Sequence, residues 1–149
     1  MIEYIKGDLF AAGERVIAHG CNCQGVMGAG VARIVRTEFE NVYDYYKEAC
    51  NMGWFYPGVV MPVDSWNGNQ KTLIYNLATQ DQPGANARYL FVERAMQNML
   101  MSMNKRRLSR VAMPKIGCGI GGLDWEVVED IIKQTFPSPF GIQVVVYEL

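Results

Sequence analysis

The chain has 149 residues, half of them hydrophobic, and a formal net charge of −1; this predicts one compact domain over residues 1–149, with a real core and no room for a second. The near-balanced charge, with no cationic run beyond NKRR at Asn104–Arg107, excludes the basic face that duplex nucleic acid binding leaves, so no duplex partner is expected. No charged leader precedes an apolar stretch, and no apolar run approaches the ~18 residues of a membrane span, so a soluble, cytoplasmic protein without a membrane partner is expected.

In chain order, Ile2–Ile5 reads as a strand followed by the turn GDLF, Gly7–Phe10, and Val16–Cys21 reads as a second strand. That strand opens the stretch HGCNCQGVMGAGVARIV, His19–Val35, which passes through a polar, glycine-rich loop. From Gly30, Val31, Ile34, Val35 and Phe39 recur at helical spacing, and Val42, Tyr46 and Ala49 predict a second helix. Gly58–Val63 and Thr72–Thr79 read as strands separated by the turn DSWNGNQ, with Asn67 and Gly68 as its hairpin signal.

After the loop QDQPGANA, Gln80–Ala87, a long helix carries Phe91, Ala95, Met99 and Leu100. Its methionines Met96, Met99, Met101 and Met103 read as core filler and surface scatter. Arg110–Pro114 is a strand ending in proline; it feeds the loop KIGCGIGG and a helix whose Trp125, Val128 and Ile132 share a face. IQVVVYEL closes the chain as a strand. Alternating strands and helices predict an α/β fold, a largely parallel sheet covered by helices on both faces, with ligands at the carboxyl ends of the strands.

The four cysteines lack the paired spacing of a zinc module and are expected as free thiols. His19, Cys21 and Cys23 alternate and would share a strand face, but the apolar run before them favours burial over metal binding. Asp8, Asp81 and Asp124 are dispersed, so no metal site and no cofactor are expected.

Gly25, Gly28 and Gly30, then Gly117, Gly119, Gly121 and Gly122, let a ligand approach the main chain closely. Placed between strand and helix, such loops offer N–H groups to an anion, phosphate above all, and two of them can clamp a diphosphate without lysine or arginine. GCGIGG fits G-x-G-x-x-G, but a dinucleotide fold needs that motif in its first strand–helix unit, and the Gly-Lys-Ser/Thr of a Walker loop is absent.

YIKGDLF, AHGCNCQGVMGAGVA, LIYNLAT, MPKIGCGIGGLDWEVV and VVVYEL, in this order, resemble a macro domain, the ADP-ribose-binding fold. The resemblance implies a three-layer α/β/α architecture with a mixed, largely parallel sheet. It also implies that Asp8, with Leu9 beside it, holds the adenine amino group, and that Tyr147 stacks on the ring. Gly28, Ala29, Gly30 and Val31, with Gly117, Cys118, Gly119, Ile120, Gly121 and Gly122, would wrap the diphosphate and distal ribose; Asn22 and Thr79 complete the ligand-binding set. Local readings stay open beside these: Asp8 as a turn cap, Tyr147 as a strand aromatic, Asn22 bonded within its own loop, His19 as a core histidine.

Within the superfamily the chain resembles the branch of ADP-ribose-1″-phosphate phosphatases and of enzymes that remove ADP-ribose from side chains or DNA bases. In the latter a lysine follows the threonine of NLAT and, in some members, an aspartate sits in the second loop; here these positions hold Gln80 and Gly121. An amide is no substitute for an amine nucleophile, and glycine carries no acid or base. The resemblance therefore implies hydrolysis of ADP-ribose-1″-phosphate, with Asn22 positioning substrate or water and His19 as acid or base. The alternatives are a non-catalytic ADP-ribose reader and, ranking lower, a hydrolase that removes ADP-ribose from modified macromolecules without the lysine; Asp124 reads as a helix-terminal carboxylate.

Overall fold

A computed structural model describes residues 2–137 and 141–149. Its elements are β1 (Ile2–Lys6), β2 (Val16–Cys21), α1 (Gly30–Glu38), α2 (Glu40–Asn51), β3 (Val60–Asn67), β4 (Gln70–Ala78), α3 (Tyr89–Lys105), β5 (Arg110–Met113), α4 (Trp125–Thr135) and β6 (Gln143–Glu148). The strands form one sheet in the order β1-β6-β5-β2-β4-β3. Every neighbouring pair is parallel except β3 with β4.

The parallel interior follows from strands that are apolar on both faces, since a parallel sheet needs a helical cover on each side. Successive residues of β6 alternate between two cores. Val144 and Val146 join Met96, Met99, Val128 and Ile132 from α3 and α4. Val145 and Tyr147 join Val35, Val42 and Tyr46 from α1 and α2. The expected three-layer α/β/α architecture is the one observed.

Two elements differ from the sequence reading. Most of DSWNGNQ is strand, with Asp64 paired to Leu73 and Asn67 to Gln70. Gly68, at φ +62°, lets a two-residue turn close the hairpin, so the ladder runs almost to its tip. In α3 the buried face is Val92, Ala95, Met96, Met99 and Met103, whereas Phe91 and Leu100 are half-buried; three methionines are core and Met101 is exposed. No helix among the described residues is long and apolar enough to cross a membrane.

Asp124 is the N-cap of α4, its carboxylate accepting from the Glu126 N–H at 3.1 Å. Asp124→Ala is expected to cost about 1 kcal/mol and to lower Tm by about 2–4 °C for a chain of this size, read in a thermal melt.

Candidate functional site

β5, β2 and β4 lie side by side and run parallel, so their carboxyl ends meet at one edge of the sheet. The chain leaves each strand there in a loop, 22–29 after β2, 79–88 after β4 and 114–124 after β5. Between them opens a cleft of about 550 Å³, in the range of small-molecule sites.

The first loop is held from behind by α2. The buried Tyr46 hydroxyl donates to the Asn22 carbonyl at 2.9 Å and to its side-chain oxygen at 2.8 Å, and Tyr43 donates to the Gly25 carbonyl. The Asn22 amide itself bridges the loop, giving to the Val26 carbonyl at 2.7 Å and accepting from the Gln24 N–H. This fixes the path into α1, whose N-cap, Ala29, makes no side-chain capping bond. The first-turn N–H groups of α1 are thus left to whatever occupies the cleft.

The second loop is built differently. The Cys118 and Gly122 N–H groups close turns onto the Lys115 and Gly119 carbonyls, and Leu123 N–H bonds the Gly117 carbonyl at 2.8 Å. Among the described residues, no backbone acceptor takes the N–H groups of Gly119, Ile120 and Gly121. The two loops face each other: a Cβ on Gly30 would stand 3.8 Å from Cδ1 of Ile120. Gly121 is glycine for want of space rather than for its φ, since a Cβ there would lie 2.7 Å from the Gly117 carbonyl oxygen and 2.9 Å from the Ala87 Cβ.

The third loop ties the other two. The Asp81 carbonyl accepts from the Cys23 N–H at 2.9 Å, and the Ala87 N–H bonds the Gly121 carbonyl at 3.2 Å. The Gln80 Nε2 spends both hydrogens inside the loop, on the Gln82 and Gly84 carbonyls.

Compared with known proteins, the sequence matches the family described as Macro domain over residues 18–132. The chain belongs to the macro domain family. A DNA ADP-ribosyl glycohydrolase of Thermus aquaticus is 29% identical over 148 residues, covering 99% of this chain and 41% of that protein; this macro domain thus spans about two fifths of that relative's length. The ADP-ribose 1″-phosphate phosphatase of Candida albicans is 30% identical over 158 residues, covering 97% of this chain and 100% of that one. Among solved structures, the macrodomain of Thermus aquaticus DarG superposes with a TM-score of 0.86 at 29% identity, covering 100% of this chain and 99% of that one.

The macro domain gathers Asn22, Gly28, Ala29, Gly30, Val31, Thr79, Gly117, Cys118, Gly119, Ile120 and Gly121 around the cleft. Gly122, Asp8, Leu9, Tyr147 and His19 lie outside its lining. Asp8 is exposed and caps its own turn, accepting from the Phe10 N–H at 2.9 Å. Leu9 is buried in the core beneath α1 and α2. Tyr147 is buried too, and its hydroxyl donates to Glu14, which Arg110 also holds. His19 is sealed, 0% exposed, with Nε2 2.7 Å from Asn76 Oδ1 and the Cys21 thiol beside it. His19, expected as an acid or base, thus occupies a core position outside the lining of the cleft. Asn22 borders the cleft, but its side chain is engaged in holding the loop.

Gln80, Pro83 and Gly84 of the third loop, and Pro114, Lys115 and Ile116 before the second, also line the cleft. The turn residues Pro83-Gly84 signalled a loop, but nothing local to them said that it would close a wall. Lys115 is paired with Glu148 at 2.6 Å.

Burial pulls the His19 pKa down from 6.5 to about 4, against the partial support of its bond to Asn76. The unfolded chain takes up this proton first as pH falls, so the stability that neutral His19 contributes is present above its unfolded pKa and is lost progressively toward pH 4. Unfolding free energy measured in urea is expected to drop by about 2 kcal/mol from this group between about pH 7 and pH 5. His19→Gln should remove that drop.

Proposed function

We propose that the cleft binds ADP-ribose and that the macro domain hydrolyses ADP-ribose-1″-phosphate to ADP-ribose and inorganic phosphate. The observation that carries this reading is the pair of facing N–H rows, the first turn of α1 and Gly119–Gly121, set across one cleft. Such groups suit a diphosphate in a chain of nearly neutral charge. On this reading the ligand lies along the carboxyl edge of the sheet. Its adenine sits toward the Asp8 end, its diphosphate lies between the two loops, and its distal ribose reaches the ends of β2 and β4.

Water attacks phosphorus, the bond to the ribose 1″ oxygen breaks, and a proton passes to that leaving oxygen. The loop N–H groups stabilise charge on the phosphoryl oxygens. The phosphatase of Candida albicans, aligned along its whole length, supports this choice of reaction. Gln80, with both amide hydrogens engaged, and Gly121, with no space for a Cβ, count against a route through a lysine and an aspartate.

A second reading, an ADP-ribose reader without turnover, is favoured by one specific observation. Among the described residues that line the cleft there is no carboxylate and no imidazole.

Phosphate release from ADP-ribose-1″-phosphate, measured with the purified chain, separates the two. Release shows the phosphatase; binding of ADP-ribose without release shows the reader; neither removes both. A Cβ added at Gly119 would meet nothing within 4 Å, so Gly119→Glu should fold while setting a carboxylate against the N–H row. ADP-ribose affinity by calorimetry is expected to fall at least about tenfold through like-charge contact.

A further inference from the structure

The basic run NKRR at the end of α3 takes no part in the cleft. It borders a separate groove of about 470 Å³ between α3 and the start of β3, which shares no lining residue with the cleft. Asn98, Met101, Ser102 and Lys105 stand three and four residues apart on α3, so they form one stripe along this groove. β3 is the last strand of the sheet, and Val60, with Val59 before it, gives the groove an apolar side. Met101 adds to that side and is 60% exposed.

The walls are tied in place. The Asn98 amide donates to the Gly58 carbonyl at 2.9 Å, and the Ser102 and Tyr75 hydroxyls lie 2.8 Å apart. The charge, in contrast, is unspent. Lys105 and Arg106 line the groove, and among the described residues neither they nor Arg107 enters a salt bridge. No carboxylate stands among the described lining residues, and Asp64 on β3 is paired with Lys71 at 3.7 Å.

The dipole of α3 favours a cation in its last turn, but the run continues past the helix end. Leu108 N–H bonds the Met103 carbonyl and Arg107 N–H bonds the Asn104 carbonyl, a closure that favours glycine at the position between. Arg107 occupies it at φ +56°, so a charge is kept where glycine is unstrained.

Unpaired cations beside exposed apolar side chains are complementary to a segment that carries carboxylates next to apolar residues. The stripe from Asn98 to Arg106 is about 12 Å long, the span of about four extended residues. Pro62 removes an N–H from the edge strand β3, so such a segment is held through side chains rather than as an added strand. A nucleic-acid strand fits less well. No aromatic side chain lines the groove to stack a base, and the cations gather at one end instead of tracking a backbone.

We propose that this groove docks an acidic segment of a partner protein, with apolar side chains against Val59, Val60 and Met101 and carboxylates meeting Lys105 and Arg106.

The probe is a fluorescein-labelled peptide in which two leucines precede a run of glutamates, titrated with the purified chain and followed by fluorescence anisotropy. Saturable binding is expected. Replacing the glutamates of the peptide by glutamine should weaken it about fivefold, the scale of two exposed ion pairs. The double variant Lys105→Glu, Arg106→Glu should weaken binding of the parent peptide at least about tenfold through like-charge contact. Thermal melts check folding, and Lys105→Gln with Arg106→Gln, expected to lose about fivefold, serves if the reversed pair does not fold.

Absence of saturable binding overturns the proposal, as does an affinity unchanged by the glutamine peptide or by the double variant. Equal binding of a peptide with serine in place of the leucines overturns the apolar contact. Tighter binding of oligothymidylate, displaced by the same double variant, overturns the choice of a protein partner. Because the groove is separate from the cleft, the test stands whether or not the chain binds ADP-ribose.

Discussion

Three parallel strands that end together, β5, β2 and β4, are the constraint on which the cleft depends. At that edge the ladder stops, and the chain has to turn away with its N–H groups no longer paired. A buried edge of this kind must satisfy its polar groups internally or present them to solvent or a ligand. In this macro domain the first turn of α1 and the Gly119–Gly121 turn do the latter, whereas α4 is closed by the Asp124 cap. The cleft's polarity therefore comes from backbone, and the side chains are spent on keeping that backbone in place.

Tyr46 shows the division of labour. It is fully buried on α2, packs edge-on against Phe55, and bonds both oxygens of Asn22. Burial pushes its phenol well above the ordinary range, so it stays a neutral donor throughout the physiological range. Asn22 then passes the constraint to Val26 and Gln24. On the opposite wall, rigidity comes from crowding: the Gly121 position is filled by the Gly117 carbonyl and the Ala87 Cβ. The 79–88 loop bonds to both walls, so the three loops are tied into one set.

A second polar assembly steadies the other half of the sheet. Arg110 on β5 holds Glu14 through two nitrogens, and the Tyr147 hydroxyl on β6 joins the same carboxylate. The guanidinium is the first cause that keeps the Glu14 carboxyl below the usual carboxylate range, against the effect of burial. This anchors the segment after β1 across the sheet and explains why Tyr147 is packed inward.

Much of this was legible in the sequence. Strand–helix alternation with strands apolar on both faces specified the layered fold, because such strands have no stable place except between helices. The two glycine runs marked loops that the structure brings together along the cleft, since only short-range sterics are needed to read them. What only the tertiary structure decided was which side chains remain free once those loops are built. His19 and Tyr147 carry chemistry by residue type, but their environments, set by Asn76, Cys21, Glu14 and Arg110, placed both in the core. Gly20 looks ordinary in sequence, and its close approach to Thr79 exists only because β2 and β4 are neighbours. Local sequence determines what a segment can do; whether a polar group is already satisfied depends on partners brought together by packing, and no local pattern encodes that.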